Sequence, residues 1–215
     1  MSPEMSRFSN NQLLSGLLLT LLVSVLVPVS VEDNTIGGQI FSLLIIASLM
    51  TVLARLTEKR MKVRRWLQAT GFTLLGIRIL ISLGHTPGWA DTASLLLVIL
   101  FQMALMVLLM GHLFSDETLD EKLLAAINFY FLTGITFGFI YTLLNLILPG
   151  AFDFPSHGAY DWPDFIYFSF INLTTLGYGD ITPVASIAKS LVVIEAAIGV
   201  LSPTIMISRF VRPAI

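Results

Sequence analysis

The residues with the most distinctive spacing lie in segment 172–183, which reads N-L-T-T-L-G-Y-G-D-I-T-P. Gly177 and Gly179 alternate there with Leu176 and Tyr178. An ordinary strand alternates its carbonyls, whereas residues that tolerate positive φ can aim them together, and glycine does this at little steric cost. Carbonyl oxygens that share one direction can replace the water around a dehydrated cation. A tight turn is the alternative for such glycines taken alone, but this segment follows a predicted half-length helix and lies between two predicted spans.

The segment resembles the selectivity filter of the potassium-channel family, whose signature is T-V-G-Y-G-D. The resemblance covers about 123–212 and is strongest from Phe168 to Ile207. One such loop supplies a quarter of each ring of oxygens, so the resemblance implies a homotetramer. Leu176 stands where the family usually has valine, but the backbone carbonyl is unchanged. The resemblance implies an ion-coordinating filter at Thr175, Leu176, Gly177, Tyr178 and Gly179, with K⁺ bound by the first four carbonyls and the Thr175 hydroxyl.

A short helix is predicted immediately before the filter segment, over 163–174. A helix of this length spans about 18 Å, roughly half a bilayer. Pro163 suits the first turn, and Asp161 and Asp164 place negative charge near the helix start. The other end of the helix then directs a partial negative charge toward the filter, which favours a cation.

The resemblance also implies residues that support the filter, namely Thr174, Asp180, Tyr167 and Phe168. Tyr167 and Phe168 are expected to form an aromatic cuff against Tyr178. Ile171 occupies a position where many two-helix bacterial relatives carry a glutamate partnered to the filter aspartate. Asp180 is therefore expected to lack that partner.

Long apolar runs must position this segment in a membrane. The chain has 215 residues, of which 55% are hydrophobic and 12% are charged. A soluble domain of this size carries about twice that charged fraction. We predict an all-α membrane protein with six transmembrane helices and a re-entrant pore helix and filter between the fifth and sixth. The first run lacks a cleavage site and is interpreted as a retained helix rather than a signal peptide. The predicted spans are 12–31, 36–54, 66–84, 93–114, 123–149 and 184–208.

Basic residues predict the orientation of these spans. The loops 32–35, 85–92 and 150–162 contain no Lys or Arg. This positive-inside pattern predicts a multi-pass protein of the cell membrane with both termini cytoplasmic. The connection between the second and third spans could also bind anionic lipid, although topology alone explains its charge. Its basic residues are Arg55, Lys59, Arg60, Lys62, Arg64 and Arg65.

Four further residues within the spans carry hypotheses. Gly199 and Pro203 are candidates for a gate or hinge in the sixth span, because proline removes one backbone hydrogen bond. Close helix packing explains Gly199 equally well. Glu195 is an acid within a span and so a functional candidate, which could line the protein interior near the pore helix or pair with a neighbour. Similar bacterial channels often carry a glutamate at this point, and this resemblance favours a structural role. Arg78 is costly in the third span unless it is paired or reaches the interface.

The predicted organisation is a four-helix domain over 1–115 and a pore domain over 116–215. The first four helices have the topology of a voltage sensor, but the fourth, 93–114, contains no Lys or Arg. Its methionines, Met103, Met106 and Met110, are interpreted as packing residues. We therefore expect a potassium-selective channel that conducts passively and is not steeply voltage-gated.

Rival functions are a weakly selective cation channel, a transporter, or a non-conducting regulatory membrane subunit. Nonselective relatives usually change the Tyr178–Gly179 pair, and potassium transporters of this family carry four pore loops in one chain. No enzyme activity is expected, because no nucleophile–base set or metal-ligand spacing occurs and the chain has no cysteine. The expected partners are three more copies of the chain and the lipid bilayer. No nucleic acid, soluble ligand domain or cofactor is expected, apart from the permeant potassium ion.

Overall fold

A computed structural model describes residues 3–26, 65, 68–74, 76–77, 89–114, 118–154 and 161–210. The chain divides into two compact units, residues 1–131 and 132–215. The elements are α1 (Pro3–Leu26), α2 (Trp89–Leu113), α3 (Leu119–Ile147), β1 (Phe152–Asp153), α4 (Trp162–Leu173), β2 (Thr182–Pro183) and α5 (Ser186–Phe210). Helix α3 begins in the first unit and ends in the second. The predicted division into domains at 115/116 stays a prediction.

Three of the described helices are long and apolar enough to cross a membrane. They are Thr92–Gly111 of α2, Leu119–Ile147, which is the whole of α3, and Ser186–Ser208 of α5. These agree with the predicted fourth, fifth and sixth spans to within a few residues, as expected for an all-α membrane protein.

The first three predicted spans fall partly or wholly outside the described residues. Helix α1 starts earlier than the predicted 12–31 and ends at Leu26, and 27–31 lie outside. The predicted 36–54 also lies outside. Within the predicted 66–84, residues 68–74 and 76–77 are helical, and Arg78 lies outside. The count of six spans stays a prediction.

In the first unit, helix α1 buries one stripe of leucines. Leu14, Leu17 and Leu21 of α1 are fully or almost fully buried, at the three- and four-residue spacing of one helix face. The side-chain amide of Asn128 in α3 donates hydrogen bonds to the carbonyl of Leu14, at 2.9 Å, and to that of Leu124, at 2.7 Å. A buried polar group thereby gains partners and ties α3 to α1.

The methionines of α2 differ in their burial. Its buried stripe includes Leu105 and Leu109, whereas Met103 and Met110 lie on the exposed face together with Val107. The helical period turns those two methionines away from the buried stripe, and their role as packing residues stays a prediction. Met106, between the two faces, is half-buried.

The second unit has an aromatic core beneath the strand pair. Tyr141 of α3 packs edge-on against Phe152 of β1 and Phe168 of α4, with ring centroids 5.6 and 5.2 Å apart. Phe165 of α4 meets Phe152 in the same manner at 5.2 Å. Edge-to-face pairs of this kind add to the free energy of apolar burial. The core thus joins α3, α4 and the segment between them.

A short antiparallel pair connects the chain before and after the pore loop. Phe152 pairs with Pro183 and Asp153 with Thr182. Beside them, the backbone N–H groups of Val184 and Ala185 both donate to the carbonyl of Ala151, at 2.9 and 3.1 Å. The chain just before residue 154 and the chain just after residue 181 are therefore held side by side.

Helix α4 lies where the pore helix is predicted, with each end shifted by a single residue. The backbone N–H of Asp161 donates to the Asp164 carboxylate at 3.0 Å, which satisfies a donor at the helix start. Pro163 lies in the first turn, where a missing N–H costs nothing. At the other end the N–H of Thr174 donates to the carbonyl of Phe170 at 3.0 Å. The predicted boundaries and the roles of Asp161, Pro163 and Asp164 are confirmed.

Candidate functional site

The backbone after α4 alternates in its φ angles. Thr175, Gly177 and Gly179 have positive φ angles of 61°, 52° and 77°. The expectation for the two glycines is confirmed, whereas the positive φ of Thr175 was not predicted. A residue with a Cβ costs about 1–2 kcal/mol in this region. The neighbouring structure therefore holds Thr175 in place against that cost.

Hydrogen bonds to the end of α4 fix the first part of this loop. The N–H of Thr175 donates to the carbonyl of Asn172 at 2.9 Å. The N–H groups of Leu176 and Gly177 both donate to the carbonyl of Ile171, at 2.8 and 3.0 Å. Within the described part of the chain, the carbonyl oxygens of 175–179 accept no hydrogen bond. The first N–H groups of the loop are thus bonded to α4, whereas its carbonyl oxygens remain available as acceptors.

The loop is open on its other side. Residues 175–179 are exposed in the single chain, and Leu176 and Tyr178 keep 57% and 68% of their surface. A Cβ built on Gly177 or Gly179 would meet nothing within 4 Å. Two large side chains and a row of carbonyl oxygens are therefore left uncovered by the described residues of this chain. Carbonyl oxygens are suitable ligands for a dehydrated monovalent cation.

Two of the predicted supporting residues contact each other. The Tyr167 hydroxyl donates to Oδ2 of Asp180 at 2.8 Å. Asp180 thus has a phenol as a partner, although the glutamate of the relatives is absent. This contact was not predicted; its signal was a tyrosine one helical turn before Ile171.

The other two supporting residues face α4 or the core. The Thr174 hydroxyl donates back to the carbonyl of Phe170 at 2.7 Å. Phe168 is 2% exposed and lies in the aromatic core of its own chain. The cuff of Tyr167 and Phe168 against Tyr178 stays a prediction.

Glycines allow α4 to approach both of its long neighbours. A Cβ on Gly134 or Gly138 of α3 would lie 2.7 Å from the Phe170 ring or 2.8 Å from the Cα of Ile166. This pair was missed, although its G-x-x-x-G spacing is a known signal of close helix packing in membranes.

Gly199 of α5 lies against the end of the pore helix. A Cβ there would collide with the Leu173 carbonyl oxygen and lie 2.8 Å from the carbonyl carbon. This geometry favours packing over a hinge as the reason for glycine. Pro203 lies inside α5, and its role in a gate stays a prediction.

Glu195 of α5 is fully buried between three helices. The Tyr141 hydroxyl of α3 donates to Oε2 of Glu195 at 2.6 Å. Its other oxygen, Oε1, is within hydrogen-bonding distance of the Ser169 hydroxyl of α4. The Ser169 hydroxyl also lies 2.6 Å from the carbonyl oxygen of Gly134. The expectation that Glu195 lines the interior near the pore helix is confirmed; Tyr141 and Ser169 were not predicted.

Comparison with known proteins bears on the same part of the chain. Residues 127–214 match the model of a protein family described as ion channel. The match supports an ion channel family. It takes in most of α3 and all of α4, the loop and α5, and so supports passive ion conduction by a membrane protein. Comparisons with curated proteins and with solved structures found no match.

Proposed function

We propose that the chain is one subunit of a potassium-selective channel that conducts K⁺ passively through a homotetrameric pore. The observation that carries the proposal is the filter loop itself. Positive φ angles recur at every second residue from Thr175 to Gly179, and the carbonyls of these residues are left without a hydrogen bond from the described chain. The proposed K⁺ ligands are the carbonyls of Thr175, Leu176, Gly177 and Tyr178, with the Thr175 hydroxyl.

Selectivity for potassium follows in this proposal from rings of oxygens that replace the ion's hydration shell. The contacts to Asn172 and Ile171 hold the inner half of the loop, and the bond between Tyr167 and Asp180 holds the outer half. A weakly selective channel requires a filter that can relax. These attachments act against such relaxation.

Four-fold assembly supplies what the single chain lacks. The loop contributes one carbonyl to each ring, and a ring needs four. Leu176 and Tyr178 are large and exposed. Only 22% of the apolar stretch of α5 that is long enough to span a membrane is buried. In the proposed tetramer α5 lines the pore, and neighbouring copies cover these surfaces. The proposed setting is the cell membrane, with both termini cytoplasmic.

Flux through reconstituted protein tests this proposal. We expect purified protein in liposomes to prefer potassium over sodium by at least about a hundredfold. Gly177→Ala should abolish flux, because a methyl group opposes the positive φ at that position. Gly111→Ala is the matched control, since a Cβ there meets nothing within 4 Å. Equal reversal potentials in potassium and sodium gradients would contradict selectivity.

The oligomeric state is measured on the same preparation. We expect native mass measurement in detergent or lipid nanodiscs to give the mass of four chains. A monomer or dimer in a preparation that conducts potassium would contradict the shared filter.

A further inference from the structure

The contacts of Glu195 form a chain that joins three helices. It runs from the Tyr141 hydroxyl through the Glu195 carboxyl group to the Ser169 hydroxyl and then to the Gly134 carbonyl. Tyr141, Ser169 and Glu195 are all fully buried. No water or charged partner is needed to complete the chain, so its protons can be counted.

The count requires one proton on Glu195. The Tyr141 hydroxyl has one proton and places it on Oε2 of Glu195. The Ser169 hydroxyl also has one proton, yet it contacts two oxygens, Oε1 of Glu195 and the carbonyl oxygen of Gly134. A carbonyl can only accept, and an ionised carboxylate can only accept.

If Glu195 is ionised, the single proton of Ser169 can serve only one of its two contacts. The other contact would then bring two oxygen atoms together with no hydrogen between them. With a neutral acid, Oε1–H donates to Ser169, and Ser169 donates to Gly134. Every contact then has a hydrogen. The neutral form also avoids the cost of an unpaired charge among apolar helices.

We propose that Glu195 works as a neutral carboxylic acid that positions the pore helix, and through it the ion filter. This proposal rests on the proposed function for its effect on the filter, but its protonation state can be tested separately. Ser169 lies one turn before Leu173, where α4 ends and the loop begins. Its hydrogen bonds hold the helix laterally against α3 and α5 at that level. Glu195 is therefore a positioning residue that acts through Ser169 and does not touch the ion.

Infrared spectroscopy reads the proton directly. We expect the spectrum of wild-type protein in lipid at neutral pH, minus that of Glu195→Gln, to contain the C=O band of a buried carboxylic acid. Tyr141→Phe should shift this band to higher frequency, because Oε2 loses its hydrogen bond. Carboxylate bands in place of the acid band would overturn the proposal. This measurement holds whether or not the protein conducts potassium.

Conduction tests the positioning role. Gln keeps one donor for Ser169 and one acceptor for Tyr141, so Glu195→Gln should retain the potassium-over-sodium permeability ratio within about twofold. Glu195→Met fills similar space without either group and should lower that ratio at least about fivefold, since buried partners are left unpaired. Equal ratios in the two variants would overturn the positioning role.

A second variant covers the case in which Glu195→Met does not assemble. Ser169→Ala removes the link between Glu195 and the Gly134 carbonyl and leaves a smaller gap. It should lower the ratio in the same direction, and an unchanged ratio in correctly assembled protein would overturn the proposal. If the wild-type protein itself fails to select potassium, the proposed function fails, and the infrared result still decides the state of Glu195.

Discussion

Gly199→Ala tests how closely α5 is seated against the end of the pore helix. The new methyl group would collide with the Leu173 carbonyl oxygen. The carbonyl carbon, at 2.8 Å, would have to retreat by about 0.6 Å to reach ordinary contact near 3.4 Å. Both atoms belong to the backbone and cannot rotate away. Overpacking of this kind costs about 1–3 kcal/mol.

A matched glycine separates this cost from helix propensity. Replacing Gly by Ala inside a helix stabilises the folded protein by about 0.8–1.0 kcal/mol through helix propensity alone. Gly111→Ala in α2 gains the same amount, and its methyl group meets nothing within 4 Å. The difference between the two variants should therefore equal the overpacking cost, about 1–3 kcal/mol.

The assay is thermal unfolding of the purified protein, followed by potassium flux through the protein that remains folded. Each kcal/mol lowers Tm by about 2–4 °C for a chain of this size. We expect Gly199→Ala to melt below Gly111→Ala and to conduct less. Equal melting of the two variants would refute the reasoning. Equal melting combined with altered opening would show instead that Gly199 is a hinge.

Three other predictions use the same preparations. Gly138→Ala places a Cβ 2.8 Å from the Cα of Ile166 and should lower stability by about 1–3 kcal/mol, in contrast to a neutral or stabilising Gly16→Ala, where the space is open. Tyr167→Phe removes the donor to Asp180 and should lower the stability of the oligomer by about 1 kcal/mol per chain; a Tm equal to that of wild type would show that this bond contributes nothing. The conductance–voltage curve in a planar bilayer should be shallow, because the span Thr92–Gly111 carries no Lys or Arg, and an effective charge near ten or more would contradict that expectation.

Local signals made helix α4 predictable. Pro163 and the two flanking aspartates act on the first turn, and the length of the apolar stretch limits the helix. The positive φ angles of Gly177 and Gly179 were equally accessible, since no other residue adopts them so easily. Thr175 shares this conformation without any local preference for it. Hydrogen bonds to α4 impose it, and a sequence pattern does not contain them.

Contacts between helices were less predictable. An ionisable group inside a span must find partners, so an interior position for Glu195 followed from its chemistry together with the family resemblance. The identity of those partners did not follow. Tyr141 and Ser169 lie 54 and 26 residues away in sequence, and they meet Glu195 only because α3 and α5 cross α4 at one level. The glycines at 134 and 138 were the only sign of that crossing that we find in the sequence, because small residues permit close approach of helices.

The pairing of β1 with β2 gives unit 132–215 a fixed point of attachment between two segments of its chain. It fixes the chain just after α3 against the chain just before α5, so the adjoining ends of the two helices cannot separate far. Helix α5 extends about 37 Å from that point at 1.5 Å per residue. The contacts of Glu195 and Gly199 hold the part of α5 nearer Ser186 against α4, so only the end beyond Gly199, about 16 Å long, can tilt without breaking them. We expect labels near Ser208 in neighbouring copies to change their separation between conducting and closed states, whereas labels near Val184 keep theirs. The strand pair and the contacts with α4 therefore confine any movement of α5 to its Phe210 end.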